Sequence, residues 1–175
     1  MSTTFRTGVR LALDWGEARI GVAACDASGT LAYPVRNVAA GERALSLLLG
    51  LVSEYEPIEI VVGLPRSLSG GEGPAAVRTR AHAAELVAAL ASTADPPPVR
   101  LVDERLTTVT AAQRLSQSGR RAREQRQIID QAAAVAILEH ALEIERARNT
   151  PPGELLSAAE FPPRPPAAGQ QEETH

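Results

Sequence analysis

The chain has 175 residues, 44% apolar and 22% charged, with a net charge of −3; this describes one ordinary globular domain with a tail to account for, too weakly charged for a general affinity for nucleic acid or membranes. All 18 basic residues are arginine, so a Walker-type phosphate loop, a Schiff-base lysine and a Ser-Lys dyad are excluded. Cys25 is the single cysteine, which leaves neither an internal disulfide nor a Cys-based zinc site.

Residues 1–7 read as a loose leader without an apolar signal core. The longest apolar run, 132–138, is far too short to cross a bilayer, so a cytoplasmic protein with no membrane partner is expected. Residues 9–14 and 19–25 read as two strands joined by a tight turn. Asp26-Ala27-Ser28-Gly29 is a second turn. Residues 30–33 then form a short third strand that Pro34 ends or places at a sheet edge. The spacing of Leu45, Leu48, Leu49 and Val52 predicts a helix over 41–55, stopped by Pro57. Residues 58–62 are a short β-branched run, read as a buried parallel strand that Gly63-Leu64-Pro65 terminates.

A Gly-rich loop follows, whose free backbone amides and Arg66 offer a phosphate cradle; a mobile surface loop is the plain alternative. An Ala-rich helix is expected over 75–91 with Val77, Ala81, Ala84 and Leu90 inward, then a fifth strand over 99–102. Thr107 or Thr108 caps a further helix that ends near Gly119. The Arg-rich run 120–126 is a loop or frayed helix start, and 127–148 is the longest helix. From 150 onward the chain is proline-rich and lacks an apolar period, so 150–175 reads as a disordered tail behind a domain of 1–149. Three antiparallel strands followed by alternating helix and parallel strand give an α/β fold, a five-stranded mixed sheet with helices on both faces. The fourth strand then lies beside the first, and the ends of strands one, four and five line the edge where ligands sit.

Three carboxylates stand out. Asp14 ends a buried strand, where an unpaired charge is costly and a metal ion is a usual partner; a turn cap through Gly16 is the plain alternative. Glu104 follows strand five as Asp14 follows strand one, and it shares parity with Val102, whereas Asp103 alternates away; a solvated charged turn is the competing reading. Asp130 shares a helix face with Ala133, Ala134, Ile137 and Ala141, so it must be paired, protonated or metal-bound, and a buried Asp–Arg pair stays open. His82 and His140 read as ordinary helix residues, with no second ligand at metal-binding spacing. Three oxygen ligands without His or Cys describe a site for Mg²⁺ or Mn²⁺, chemistry suited to cutting a phosphodiester backbone. From Arg100 to Arg126 seven arginines face three acids, a local +4. Arg19, Arg66, Arg105, Arg120, Arg121, Arg123 and Arg126 are the candidates for phosphate contacts.

Leu13-Asp14-Trp15-Gly16 with Arg19-Ile20-Gly21-Val22-Ala23, Val61-Val62-Gly63-Leu64-Pro65 with its Gly-rich loop, Asp103-Glu104-Arg105-Leu106-Thr107-Thr108 and Ile129-Asp130-Gln131-Ala132-Ala133-Ala134 together resemble the YqgF family, also called RuvX. The resemblance covers about residues 8–145. It implies an RNase H-like fold, a catalytic acid trio at Asp14, Glu104 and Asp130, and trimming at the 5′ end of the pre-16S ribosomal RNA. Cleavage of branched DNA is the activity implied by the fold relatives. Trp15, Ala18 and the arginines of 120–126 depart from the residues usual there; Trp15 either packs or stacks on a base. A nucleic-acid-binding module with a vestigial site and an actin-like ATPase are the competing classes, the latter disfavoured by length. Monomer and homodimer are both open.

Overall fold

The computed structural model describes residues 4–104 and 122–158, with side chains in the last helix described from 128 onward. Six strands and three helices make up the described fold: β1 (Arg10–Trp15), β2 (Arg19–Cys25), β3 (Ala32–Ala39), α1 (Ala44–Tyr55), β4 (Glu59–Leu64), α2 (Pro74–Leu90), β5 (Val99–Asp103), α3 (Ala122–Arg148) and β6 (Glu154–Leu156). They form one sheet in the order β3-β2-β1-β4-β5-β6. β1, β2 and β3 are antiparallel neighbours, and β1, β4 and β5 run parallel. The fourth strand thus lies beside the first, as expected.

Every residue of β4 is buried, because helices cover both faces of the sheet at its centre. Leu11, Leu13, Ile60, Val62, Leu64, Val99 and Leu101 point to one side, where α1 and α2 bring Leu48, Leu51, Ala83 and Leu86. Ala12, Val61 and Val102 point to the other, against Ala134, Ile137, Leu138 and Ala141 of α3.

The structure corrects several expectations. The sheet has six strands, not five. β6 falls at 154–156 in what was read as tail, where Gly153 takes φ +69° and Leu156 buries against β5. Three residues between prolines and an alanine run are too short for periodicity to reveal. β3 is eight residues long and contains Pro34; it is an edge strand, where a missing N–H is tolerated, and the ladder shifts register between Val22 and Ala23 beside it. α2 rotates relative to the expected phase. Ala84 and Leu90 are buried as expected, together with Ala76, Thr79, Ala83 and Leu86, whereas Ala81 is exposed and Val77 is 61% exposed, because an Ala-rich helix has a weak apolar stripe. The leader is not loose at Arg6, whose guanidinium pairs with Glu59 and Glu145. The helix expected after Thr107 or Thr108, and the remainder of the tail from 159, lie outside the described residues. Among the described residues no helix is long and apolar enough to cross a membrane.

Candidate active site

Strand alternation determines which side chains meet at the carboxyl edge. Asp14 has the parity of Ala12 and stands on the α3 face, while Trp15 follows Leu11 and Leu13 to the opposite face. Glu104 has the parity of Val102, and its N–H bonds to the Leu64 carbonyl at 3.3 Å, continuing the β4–β5 ladder one residue beyond the strand. Asp130 precedes Ala134 by four residues and Ile137 by seven, on the stripe that α3 turns to the sheet.

Two glycines permit this convergence by lacking a side chain. Gly21 is the β2 partner of Asp14, and a Cβ on it would collide with the main-chain carbonyl of Asp130. α3 therefore rests on bare backbone beside Asp14. Gly63 lies on β4, between the strands that carry Asp14 and Glu104. A Cβ there would collide with the Glu104 carboxylate and with Ile137. In the sequence Gly63 reads as a strand terminator and Gly21 as part of a strand motif; the signal for their role is a small residue on each strand adjoining an acid-bearing one. Gly63→Ala should cost about 1–3 kcal/mol, the usual range for overpacking. Cleavage should fall further than the unfolded fraction explains, because Glu104 must move. Urea titration run beside a cleavage assay checks this, and a purely proportional loss would remove Gly63 from the site.

The electrostatics separate the three acids. Burial, then the neighbouring Asp130 charge, pushes Asp14 up to about 6. Burial, then the charges of Asp14 and Asp103, pushes Glu104 up to about 7. Asp130 is met by Arg19, whose Nε donates to Oδ2 at 2.9 Å with both side chains about a quarter exposed. The open alternative for Asp130, a pair with arginine, is therefore present in the structure. Among the described residues no three His, Cys, Asp or Glu side chains stand together ready to hold a metal. The donor set nevertheless fits a hard cation: all are oxygens, and two are half-buried carboxylates raised first by burial and then by a neighbouring acid, Asp130 for Asp14 and Asp14 for Glu104.

Arg66 reaches the Gly70 carbonyl at 3.4 Å and Glu72 at 3.4 Å. In the same loop the N–H groups of Ser67, Gly70 and Gly71 bond to Gly71 O, Ser67 O and Ser67 Oγ. Three of the amides expected to be free for a phosphate are thus used within the loop. The side chains of Arg105, Arg120, Arg121, Arg123 and Arg126 lie outside the described residues.

A family model described as "RuvX: Holliday junction resolvase" matches residues 8–144. The chain belongs to the RuvX family. A Streptomyces coelicolor relative named "Putative pre-16S rRNA nuclease" is 58% identical over 154 residues, spanning 85% of this chain and 88% of its own. A Nocardioides relative of the same name is 50% identical over 156 residues, spanning 86% and 97%. The RuvC structure of Thermus thermophilus superposes with a TM-score of 0.51 at 19% identity, over 85% of this chain and 99% of that one. That likeness establishes the shared RNase H-like fold. As a RuvX member the chain is a nuclease, a hydrolase acting on ester bonds.

Proposed function

We propose that this RuvX nuclease trims the 5′ end of the pre-16S ribosomal RNA in the cytoplasm, using Asp14, Glu104 and Asp130 with Mg²⁺ or Mn²⁺. The observation that supports the reading is the placement of Asp14 and Glu104 on one face of the sheet edge, at the ends of β1 and β5 on either side of β4, with the Asp130 charge close enough to raise Asp14. The curated names of the relatives supply the RNA.

A divalent cation bound there would lower the pKa of water and neutralise charge on the leaving oxygen. Asp14 and Glu104 would hold it. Burial keeps bulk water from screening their charge. Arg19 positions Asp130 through the Nε–Oδ2 hydrogen bond, and the Asp130 carboxylate would complete the oxygen donor set. Arg66, Arg105, Arg120, Arg121, Arg123 and Arg126 hold the RNA backbone, each donating N–H hydrogen bonds to phosphate oxygens.

The purified protein on a precursor rRNA leader, with and without divalent ions and beside Asp130→Asn, tests the reading. Cleavage is expected only with the ion and only in the wild type. Mn²⁺ or Mg²⁺ at a hundred times its Kd should stabilise the wild type by about 2.7 kcal/mol and leave Asp14→Asn unmoved. A four-way DNA junction cut faster than the RNA would instead favour the resolvase activity named in the family description.

A further inference from the structure

On the reverse face of the same sheet edge lies a cleft of about 850 Å³ that the carboxylates do not use. Trp15, the residue after Asp14, lines it with His82 of α2; the two rings are parallel within 2° and their centroids are 5.1 Å apart. The His82 side chain remains 43% exposed. The charged lining is otherwise Glu17, Glu42, Glu85 and Arg78, and the Arg78 guanidinium is already 3.5 Å from Glu17.

We propose that this cleft binds one unpaired nucleobase of the RNA strand whose backbone lies at Asp14, an inference that rests on the nuclease reading above. Three carboxylates against one guanidinium repel a phosphate and attract groups that donate hydrogen bonds. The parallel rings offer a face to any planar π-system. A base has that face and, in guanine, adenine or cytosine, an amino edge that carboxylates accept from. Since Asp14 and Trp15 are consecutive on a strand, they point to opposite sides of one edge. An RNA strand crossing that edge brings a phosphate to the first and an adjacent base to the second.

The chain has one tryptophan, so its emission reports on this cleft alone. In EDTA, an end-labelled single-stranded RNA decamer should bind by anisotropy and quench Trp15 as it does so. Moving one abasic nucleotide along the strand should find a position where affinity falls about tenfold and quenching disappears. His82→Ala should weaken the intact strand by a similar factor, yet leave binding of the strand abasic at that position unchanged. Circular dichroism and Tm establish that the variant is folded. The proposal is overturned by binding without quenching, by no binding at all, by indifference to every abasic position, or by His82→Ala weakening all strands equally. Cleavage with Mg²⁺ is read separately: cutting without a sensitive position removes the base site and leaves the nuclease, whereas quenching without cutting does the reverse.

Discussion

Asp14→Asn should raise the Tm of the metal-free protein at pH 8 by about 4–8 °C while lowering cleavage at least a hundredfold. The sign follows from the direction of the shift. The folded-state pKa is about 6 against an ordinary 3.8, so the folded protein holds that proton more tightly than the unfolded chain does. Ionisation therefore costs nothing below pH 3.8, costs progressively more up to pH 6, and costs its full amount above. Two pKa units correspond to about 3 kcal/mol. Because the Asp14 side chain keeps some exposure at the sheet edge, about 2 kcal/mol is the expected gain, which for a chain of this size gives the stated Tm shift. Asn keeps the shape and removes the charge.

The gain should vanish near pH 4, where the wild type is already protonated. Glu104→Gln should behave alike over pH 4.5 to 7, the interval between its ordinary and raised values. Even the outer partners of metal ligands commonly lose 10–100-fold activity on mutation, so loss of a ligand should cost no less. Thermal scans in EDTA at pH 4 and pH 8 decide the matter. A variant less stable than the wild type at both would mean that Asp14 is a turn cap.

Much of this site was legible in the chain, for a definite reason. Asp14, Glu104 and Asp130 each end or interrupt an apolar pattern; the strand order places the first two at one sheet edge, and the parity of Glu104 with Val102 separates it from Asp103. The turn at Asp26 was legible too, since its carboxylate accepts from the N–H groups of Ser28 and Leu31. What the sequence hid depended on neighbours across the sheet. The role of Gly63 appears only when Glu104 is seen over it, and the Arg19–Asp130 pair joins residues 111 positions apart. Arg10 and Glu59 do not stand out within their strands, and Arg100 reads only as the first of the seven arginines between 100 and 126. The overlooked signal is a charged residue near the start of each of three neighbouring parallel strands, all on the face that α3 covers.

Those residues form a second buried charge cluster under α3, and it should dominate stability where the first dominates chemistry. Asp130 and Glu145 are fifteen residues apart on one helix, a rise of about 22 Å, so α3 carries one acid to each end of the sheet. At the carboxyl end Asp130 meets Arg19 at 2.9 Å, beside Asp14. At the amino end Glu145 meets Arg6 Nε at 2.8 Å and Arg10 Nη2 at 3.1 Å, while Glu59 pairs with Arg6 and lies 2.8 Å from Arg100 Nε. The Arg100–Glu59 pair is close enough for attraction without the alignment of a hydrogen bond. Burial pushes the Glu145 carboxyl up, but the Arg6 hydrogen bond and the charges of Arg10 and Arg6 outweigh it and hold the group below its ordinary value. Its contribution is therefore present above the ordinary carboxylate range and lost as pH falls, opposite in sign to Asp14.

Glu145→Gln strands Arg10, only 1% exposed, with the carbonyls of Gly8 and Arg6 as its remaining acceptors. Breaking a buried pair on one side typically costs 3–5 kcal/mol, so a Tm loss of about 6–20 °C is expected. Cleavage per folded molecule should be unchanged, since the altered group lies at the far end of α3. Urea unfolding at pH 7 measures the first and a cleavage assay below the transition the second. A loss under about 1 kcal/mol would mean that water reaches Arg10 and that the cluster behaves like a surface pair.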